Sequence, residues 1–129
     1  MKNRGSTICL SMIVKDEAHV IRRCLDSVRP LIDHWVIVDT GSTDGTQDIV
    51  RAALADIPGA LVERPWVDFA YNRNEALKLA RRHAQYTLII DADDELIIPA
   101  DFTMPKLRAP GYRFEIIDEH TRYWRNQLV

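Results

Sequence analysis

Apolar positions along this chain fall into two alternating rhythms. Residues 7–14 form a nearly continuous apolar run, as expected for a strand covered on both faces. Val20, Ile21, Cys24, Leu25 and Val28 then recur at helical spacing, with Pro30 just past the likely stop. Residues 35–38 predict a second strand. Asp44-Gly-Thr-Gln47 matches a capping box with Asp44 as N-cap, and Ile49, Val50, Ala53, Leu54 and Ile57 give the following helix a buried stripe. Residues 60–62 predict a short third strand. Asp68 or Asn72 is positioned to cap a third helix running to about His83, with Phe69, Arg73, Leu77 and Ala80 on one face. Residues 86–90 predict the fourth strand.

Strands and helices alternating at this length predict an α/β fold with a mainly parallel, doubly wound sheet. Such sheets bind ligands beyond the carboxyl ends of their strands, where the strand order reverses. The texture changes after Asp94. Pro99, Pro105 and Pro110 punctuate a loop, residues 112–116 alternate like a half-buried strand, residues 118–121 read as a turn, and residues 122–129 as a returning strand. The chain stops on Leu128-Val129 with no helix to cover this second set of strands. The expectation is one domain over 1–129, incomplete at its C-terminus.

Charge collects at the predicted strand ends. The fourth strand runs into Asp91-Ala-Asp-Asp94, the second into Asp39, and the first into Lys15-Asp-Glu17. Carboxylate oxygens suit hard divalent cations such as Mg²⁺ or Mn²⁺, which bind through one or two carboxylates plus substrate phosphates. The pattern points to a nucleotide-diphosphate site. Arg73 fits it: an arginine in a core-facing stripe needs a partner, and a pyrophosphate, Asp39 or Asp91 would serve. Asp39, Ser42 and Asp44 also suit turn building and helix capping, and Glu17 suits the first turn of a helix. Residues two apart at a strand end share a side, so Asp91 and Asp93 are expected together and Asp94 elsewhere.

Neighbouring chemistries fit less well. A P-loop ATPase lacks its Gly-rich loop with Lys, a calcium loop lacks the Gly and Glu spacing, and an aspartyl phosphatase lacks its Thr partner, Glu95 standing there. Lys15-Asp-Glu17 contains no glycine, which disfavours a nucleotidyltransferase. His19, His34, His83 and His120 have no ligand spacing. A net charge of −2 with scattered Lys and Arg gives no footprint for nucleic acid. No apolar stretch reaches the length of a membrane span, and the polar start lacks a signal peptide's apolar segment. Cys9 and Cys24 form no metal-type pair and read as buried thiols, consistent with a cytoplasmic protein.

Four stretches in order carry a family resemblance: Ser11-Met-Ile-Val-Lys-Asp-Glu17, Val36-Ile-Val-Asp-Thr-Gly-Ser-Thr-Asp-Gly-Thr46, Phe69-Ala-Tyr-Asn-Arg-Asn74 and Ile89-Ile-Asp-Ala-Asp-Asp94. Residues 8–96 resemble the nucleotide-binding half of a family 2 glycosyltransferase, particularly bacterial members often joined to tetratricopeptide repeats. The resemblance implies the GT-A fold, a Rossmann-like three-layer α/β/α arrangement. It divides the chain into a nucleotide-binding half over 7–96 and the start of an acceptor half over 97–129. It implies that Val14, Lys15, Glu17, Asp39, Arg73, Asp91 and Ala92 surround a nucleotide-sugar donor, with Asp39 receiving the N–H of a uracil ring and Asp91 facing the ribose. Asp93 would hold Mg²⁺ or Mn²⁺, and Asn74 would support the loop. The implied reaction is inverting, metal-assisted transfer from a UDP-sugar to an unknown acceptor. The resemblance implies a general base well beyond the metal motif, outside this chain; nothing in the sequence nominates Glu115, Asp118 or Glu119. The alternative is a catalytically silent nucleotide-sugar-binding module needing a partner chain, with self-association through the edge of the C-terminal strand.

Overall fold

Strand β1 (Ile8–Val14) is buried on both faces, which places it at the centre of a sheet. The computed structural model describes residues 6–129. In it β1 pairs in parallel with β2 (His34–Asp39) on one side and with β4 (Tyr86–Ile89) on the other. Strand β3 (Gly59–Glu63) extends the sheet in parallel beyond β2 and is largely exposed, as an edge strand is. Strands β5 (Tyr112–Ile117) and β6 (Arg122–Leu128) form an antiparallel hairpin on the far side. The full order is β3-β2-β1-β4-β6-β5. Strand order reverses between β1 and β4, so the crevice expected of such a sheet opens at the ends of β1, β2 and β4.

Three helices cover the two faces. Helix α1 (Ile21–Val28) buries Ile21, Cys24, Leu25 and Val28, and α2 (Thr46–Ala53) buries Val50 and Ala53. They share the larger core with Ile8, Leu10, Met12 and Val14 of β1. Helix α3 (Phe69–Arg81) packs on the opposite face, where Ala80 meets Cys9 and Val36. The expected three-layer α/β/α arrangement is therefore present. Among the described residues no helix is long and apolar enough to cross a membrane.

Three local expectations are corrected. The capping box at Asp44 does not form: α2 is capped by Gly45, at φ 95°, and Gln47 donates to Glu63 at 3.0 Å instead of reaching back. A left-handed residue fits there because glycine has no Cβ to clash. Second, α3 begins after Asp68, whose carboxylate accepts from the Tyr71 N–H at 2.7 Å, but its buried residues are Asn72, Ala76 and Ala80. Phe69 is 63% exposed, so the stripe is rotated away from the predicted face. Third, the terminal strand β6 is not the sheet's edge. Its end pairs with β4 through Leu88 and Leu128 and through reciprocal Thr87–Val129 backbone bonds, leaving β5 outermost.

Candidate functional site

The turn after β2 is built around one buried carboxylate. Asp39 is 1% exposed, and its Oδ1 accepts from the backbone N–H groups of Gly41 and Ser42, both at 2.8 Å. Oδ2 is buried with no hydrogen-bond partner among the described residues. One oxygen thus builds the turn, as the turn-building reading expects, and the other carries no hydrogen bond among the described residues. Burial works against the charge of Asp39. The hydrogen bonds from Ser42 and Gly41 outweigh it, helped by the nearby Gln47 amide without a closed bond, and hold the carboxyl below its usual range.

This turn is stitched to the loop after β1. Asp16 donates its N–H to the Ser42 hydroxyl at 2.8 Å, and its carboxylate accepts from Thr43 N–H at 2.8 Å. Glu17 N–H donates to the Thr46 hydroxyl at 2.9 Å, and Ala18 N–H to the Asp44 carboxylate at 3.0 Å. The same carboxylate takes the Thr46 N–H at 3.0 Å, so Asp44 supports the start of α2 from just outside it. Hydrogen bonding from Thr46 outweighs burial and keeps the Asp44 carboxyl low. Asp16 adopts φ 53°, a left-handed backbone more accessible to Asp than to most residues. A cavity of about 300 Å³ beside this turn is lined by Asp39, Thr40, Gly41, Glu63, Arg64 and Pro65.

The segment after β4 folds differently. Regular strand ends at Ile89, and a turn follows in which Asp94 N–H donates to the Asp91 carbonyl at 3.0 Å. Because the chain curls here, strand alternation no longer applies. Asp91, Asp93 and Asp94 each bring a carboxylate oxygen within 4.8 Å of the others, which corrects the expectation that Asp94 stands apart. Three such oxygens form a hard, anionic donor set that fits Mg²⁺ or Mn²⁺. Burial, then the charges of Asp93 and Asp91, push the Asp94 carboxyl up, with Arg125 opposing.

Arginines from three elements surround this turn. Arg73 of α3 places Nη2 3.3 Å from Asp91 Oδ1, as the sequence required of a core-side arginine, and lies over the Phe69 ring at 5.4 Å. Its Nη1 is buried and has no partner among the described residues. Arg125 of β6 sits 3.9 Å from Asp94 and is oriented by Gln127, which in turn donates to the Ile89 carbonyl. Arg23 of α1 donates to the Asp93 carbonyl at 3.1 Å. Beyond Asp93 and Asp94 a larger cavity of about 830 Å³ continues toward Ile90, Leu96, Phe114 and Trp124.

The structure therefore brings Arg73 of α3 to Asp91, beside Ala92 and Asp93 after β4, while Asp39 at the end of β2 lines a separate cavity from Asp93. Val14 ends β1 in register with Asp39, but its side chain is buried and its carbonyl accepts from Thr40 N–H at 3.0 Å. Lys15 is exposed, while Glu17 takes part through its backbone, its carbonyl accepting from Val20 and Ile21 to open α1. Asn74 is exposed; loop support comes from Asn72, which accepts from Val67 N–H at 2.9 Å and donates to the Pro65 carbonyl at 3.1 Å. The signal for Asn72 was a polar residue on the helical face opposite Asn74, four residues before Ala76. Cys24 is the buried thiol expected, pushed up to about 12 by burial and by the carboxylates of Asp94, Asp91 and Asp93.

Known proteins match this chain over the same elements. The glycosyl transferase family 2 profile matches residues 9–99. A TPR repeat-containing protein of Synechococcus elongatus is 40% identical over 94 residues, covering 72% of this chain and 22% of that protein. A crystal structure of glucosyl-3-phosphoglycerate synthase from Mycobacterium tuberculosis, in complex with Mn²⁺, UDP and glucosyl-3-phosphoglycerate, aligns with a TM-score of 0.51 at 26% identity. It covers 68% of this chain and 34% of that one. Staphylococcus aureus TarS 1–349 aligns with a TM-score of 0.60 over 69% of this chain and 28% of that one; at 23% identity it speaks for the fold alone. The chain spans about a fifth of the length of the first curated relatives it matches.

Proposed function

The chain belongs to glycosyl transferase family 2, and we propose that it binds a UDP-sugar and serves its metal-assisted transfer, with inversion, to an acceptor hydroxyl. The observation that carries this reading is the pairing of a half-satisfied buried carboxylate, Asp39, with a convergent acidic turn at Asp91, Asp93 and Asp94. The likeness to a synthase solved with Mn²⁺ and UDP supports it.

Asp39 Oδ2 accepts the ring N–H of uracil, which recovers the hydrogen bond this buried oxygen lacks. Asp91 faces the ribose, with the Ala92 backbone beside it, and Val14, Lys15 and Glu17 form the wall after β1. Asp93, joined by Asp94, would hold Mg²⁺ or Mn²⁺, which would supply positive charge there when bound. Arg73 exchanges part of its contact with Asp91 for the phosphates, its Nη1 being available for them. In the reaction the acceptor oxygen bonds to the anomeric carbon as the carbon–oxygen bond to UDP breaks. UDP leaves with the electron pair, and Arg73 stabilises that charge from a fixed position. The carboxylate that takes the acceptor's proton is not assigned.

Titration calorimetry with UDP, GDP and ADP, with Mn²⁺ present or chelated, tests the reading. Metal-enhanced binding selective for UDP is expected. A folded protein that binds none of the three nucleotides would overturn it.

A further inference from the structure

The acidic turn is gripped from behind by one face of α1. Cys24 Sγ donates to the Asp91 carbonyl at 3.4 Å, and Arg23 Nη2 to the Asp93 carbonyl at 3.1 Å. Ser27 Oγ donates to the Cys24 carbonyl at 2.6 Å and accepts from Leu96 N–H at 2.9 Å. The three contacts that reach the turn join residues 67 to 70 positions apart in sequence. All three act on main-chain atoms of the turn, at its start, middle and exit. Among the described residues no hydrogen bond or ion pair from α1 reaches the carboxylates of Asp91, Asp93 and Asp94, which converge.

Convergence needs a restraint. Three carboxylates within 4.8 Å repel one another, and the segment after Ile89 is held by neither helix nor strand until β5. The only bond the turn makes to itself among the described residues is Asp94 N–H to Asp91 O. We propose that Ser27, Cys24 and Arg23 are positioning residues that pre-form the cation-binding geometry of the turn by fixing its backbone. The proposal rests on the reading of Asp93 as a metal ligand. Its physical basis is preorganisation: a donor set already gathered does not have to be ordered when the cation arrives.

Calorimetry on the full chain tests it with Mn²⁺ in the presence of UDP, and separately with uridine, which has no phosphates. Ser27→Ala and Cys24→Ala are each expected to weaken Mn²⁺ binding about tenfold, the scale of one lost hydrogen bond. Uridine affinity should stay at the wild-type value, since it depends on Asp39. Cys24→Ser, which keeps a donor, should restore Mn²⁺ binding where Cys24→Ala loses it. Variants that bind Mn²⁺ like wild type, or that lose uridine in parallel, overturn the positioning role while leaving the metal site standing. Wild type that binds no Mn²⁺ overturns the metal reading itself, and the positioning role with it.

Discussion

The turns after β2 and β4 both carry carboxylates at the carboxyl ends of parallel strands, yet they are held in opposite ways. At the β2 turn the carboxylates are the structural members. Asp39, Asp44 and Asp16 accept backbone N–H groups from their own loop and the next one, and hydrogen bonds hold the carboxyls of Asp39 and Asp44 low. At the β4 turn the backbone is held by α1 and the carboxylates are left to crowd one another, so burial and then the neighbouring charges make Asp94 harder to ionise. The first turn is complete without a ligand except for one oxygen of Asp39. The second is a site whose charge is balanced only in part, by Arg73 and Arg125 at 3.3 and 3.9 Å. Under the proposed function the first turn recognises the base and can be rigid, whereas the second needs unbalanced charge to bind its ion.

The largest expected effect falls on the second turn. Asp93→Ala should abolish the Mn²⁺-dependent part of UDP binding, at least tenfold, while uridine binding and thermal stability hold. Equal loss of uridine binding would show that the two turns are not separable.

Asp39→Asn sharpens the other side. Gly41 and Ser42 N–H groups oblige the amide oxygen to take the place of Oδ1, so the NH₂ occupies the position of Oδ2. That exchanges an acceptor for a donor. Uridine affinity should fall about tenfold, and cytidine, whose ring nitrogen accepts, should bind better than it does to wild type. Unchanged preference between the two nucleosides would remove Asp39 from base recognition.

Much of this comparison was legible in the sequence because it depends on local chemistry. The strands, the Asp68 cap and the acids at the strand ends all follow from period, capping residues and position. The errors came where one rule was extended past its element. Asp44 looked like an N-cap, but a left-handed Gly45 let the helix begin one residue later. Asp94 was set apart by strand alternation, although the strand had ended at Ile89. Arg73 was read as needing a pyrophosphate, Asp39 or Asp91; the structure pairs it with Asp91, on a helix whose buried members are Asn72, Ala76 and Ala80. The hairpin was visible from its alternation; its docking, with β6 between β4 and β5, was not, because a strand's neighbour is chosen by packing across the sheet. The grip of α1 on the β4 turn joins residues so distant that no local pattern announces it.

A smaller effect tests whether the β2 turn is structural. Asp16→Ala removes the acceptor for Thr43 N–H and leaves a residue with a Cβ at φ 53°. It should cost about 0.5–1 kcal/mol by denaturant unfolding, with little change in Mn²⁺ affinity once folded. Stability equal to wild type would mean that the stitching between the two loops contributes nothing.

The smallest effect is in acid. The folded-state pKa of Asp39 lies below its unfolded value of about 3.9. Its stabilisation is therefore present above that value and lost as pH falls through the folded pKa. Asp39→Asn should flatten this part of the stability profile below about pH 4; an unchanged acid slope would place the sensitivity on other carboxylates.

The most direct test of the division between the turns is backbone NMR of the chain with uridine and then with Mn²⁺. The account predicts that uridine alone shifts the amide signals of Gly41 and Ser42, and that Mn²⁺ broadens signals centred on residues 91–96. Uridine shifts that spare Gly41 and Ser42, or Mn²⁺ broadening centred on the β2 turn, would contradict it.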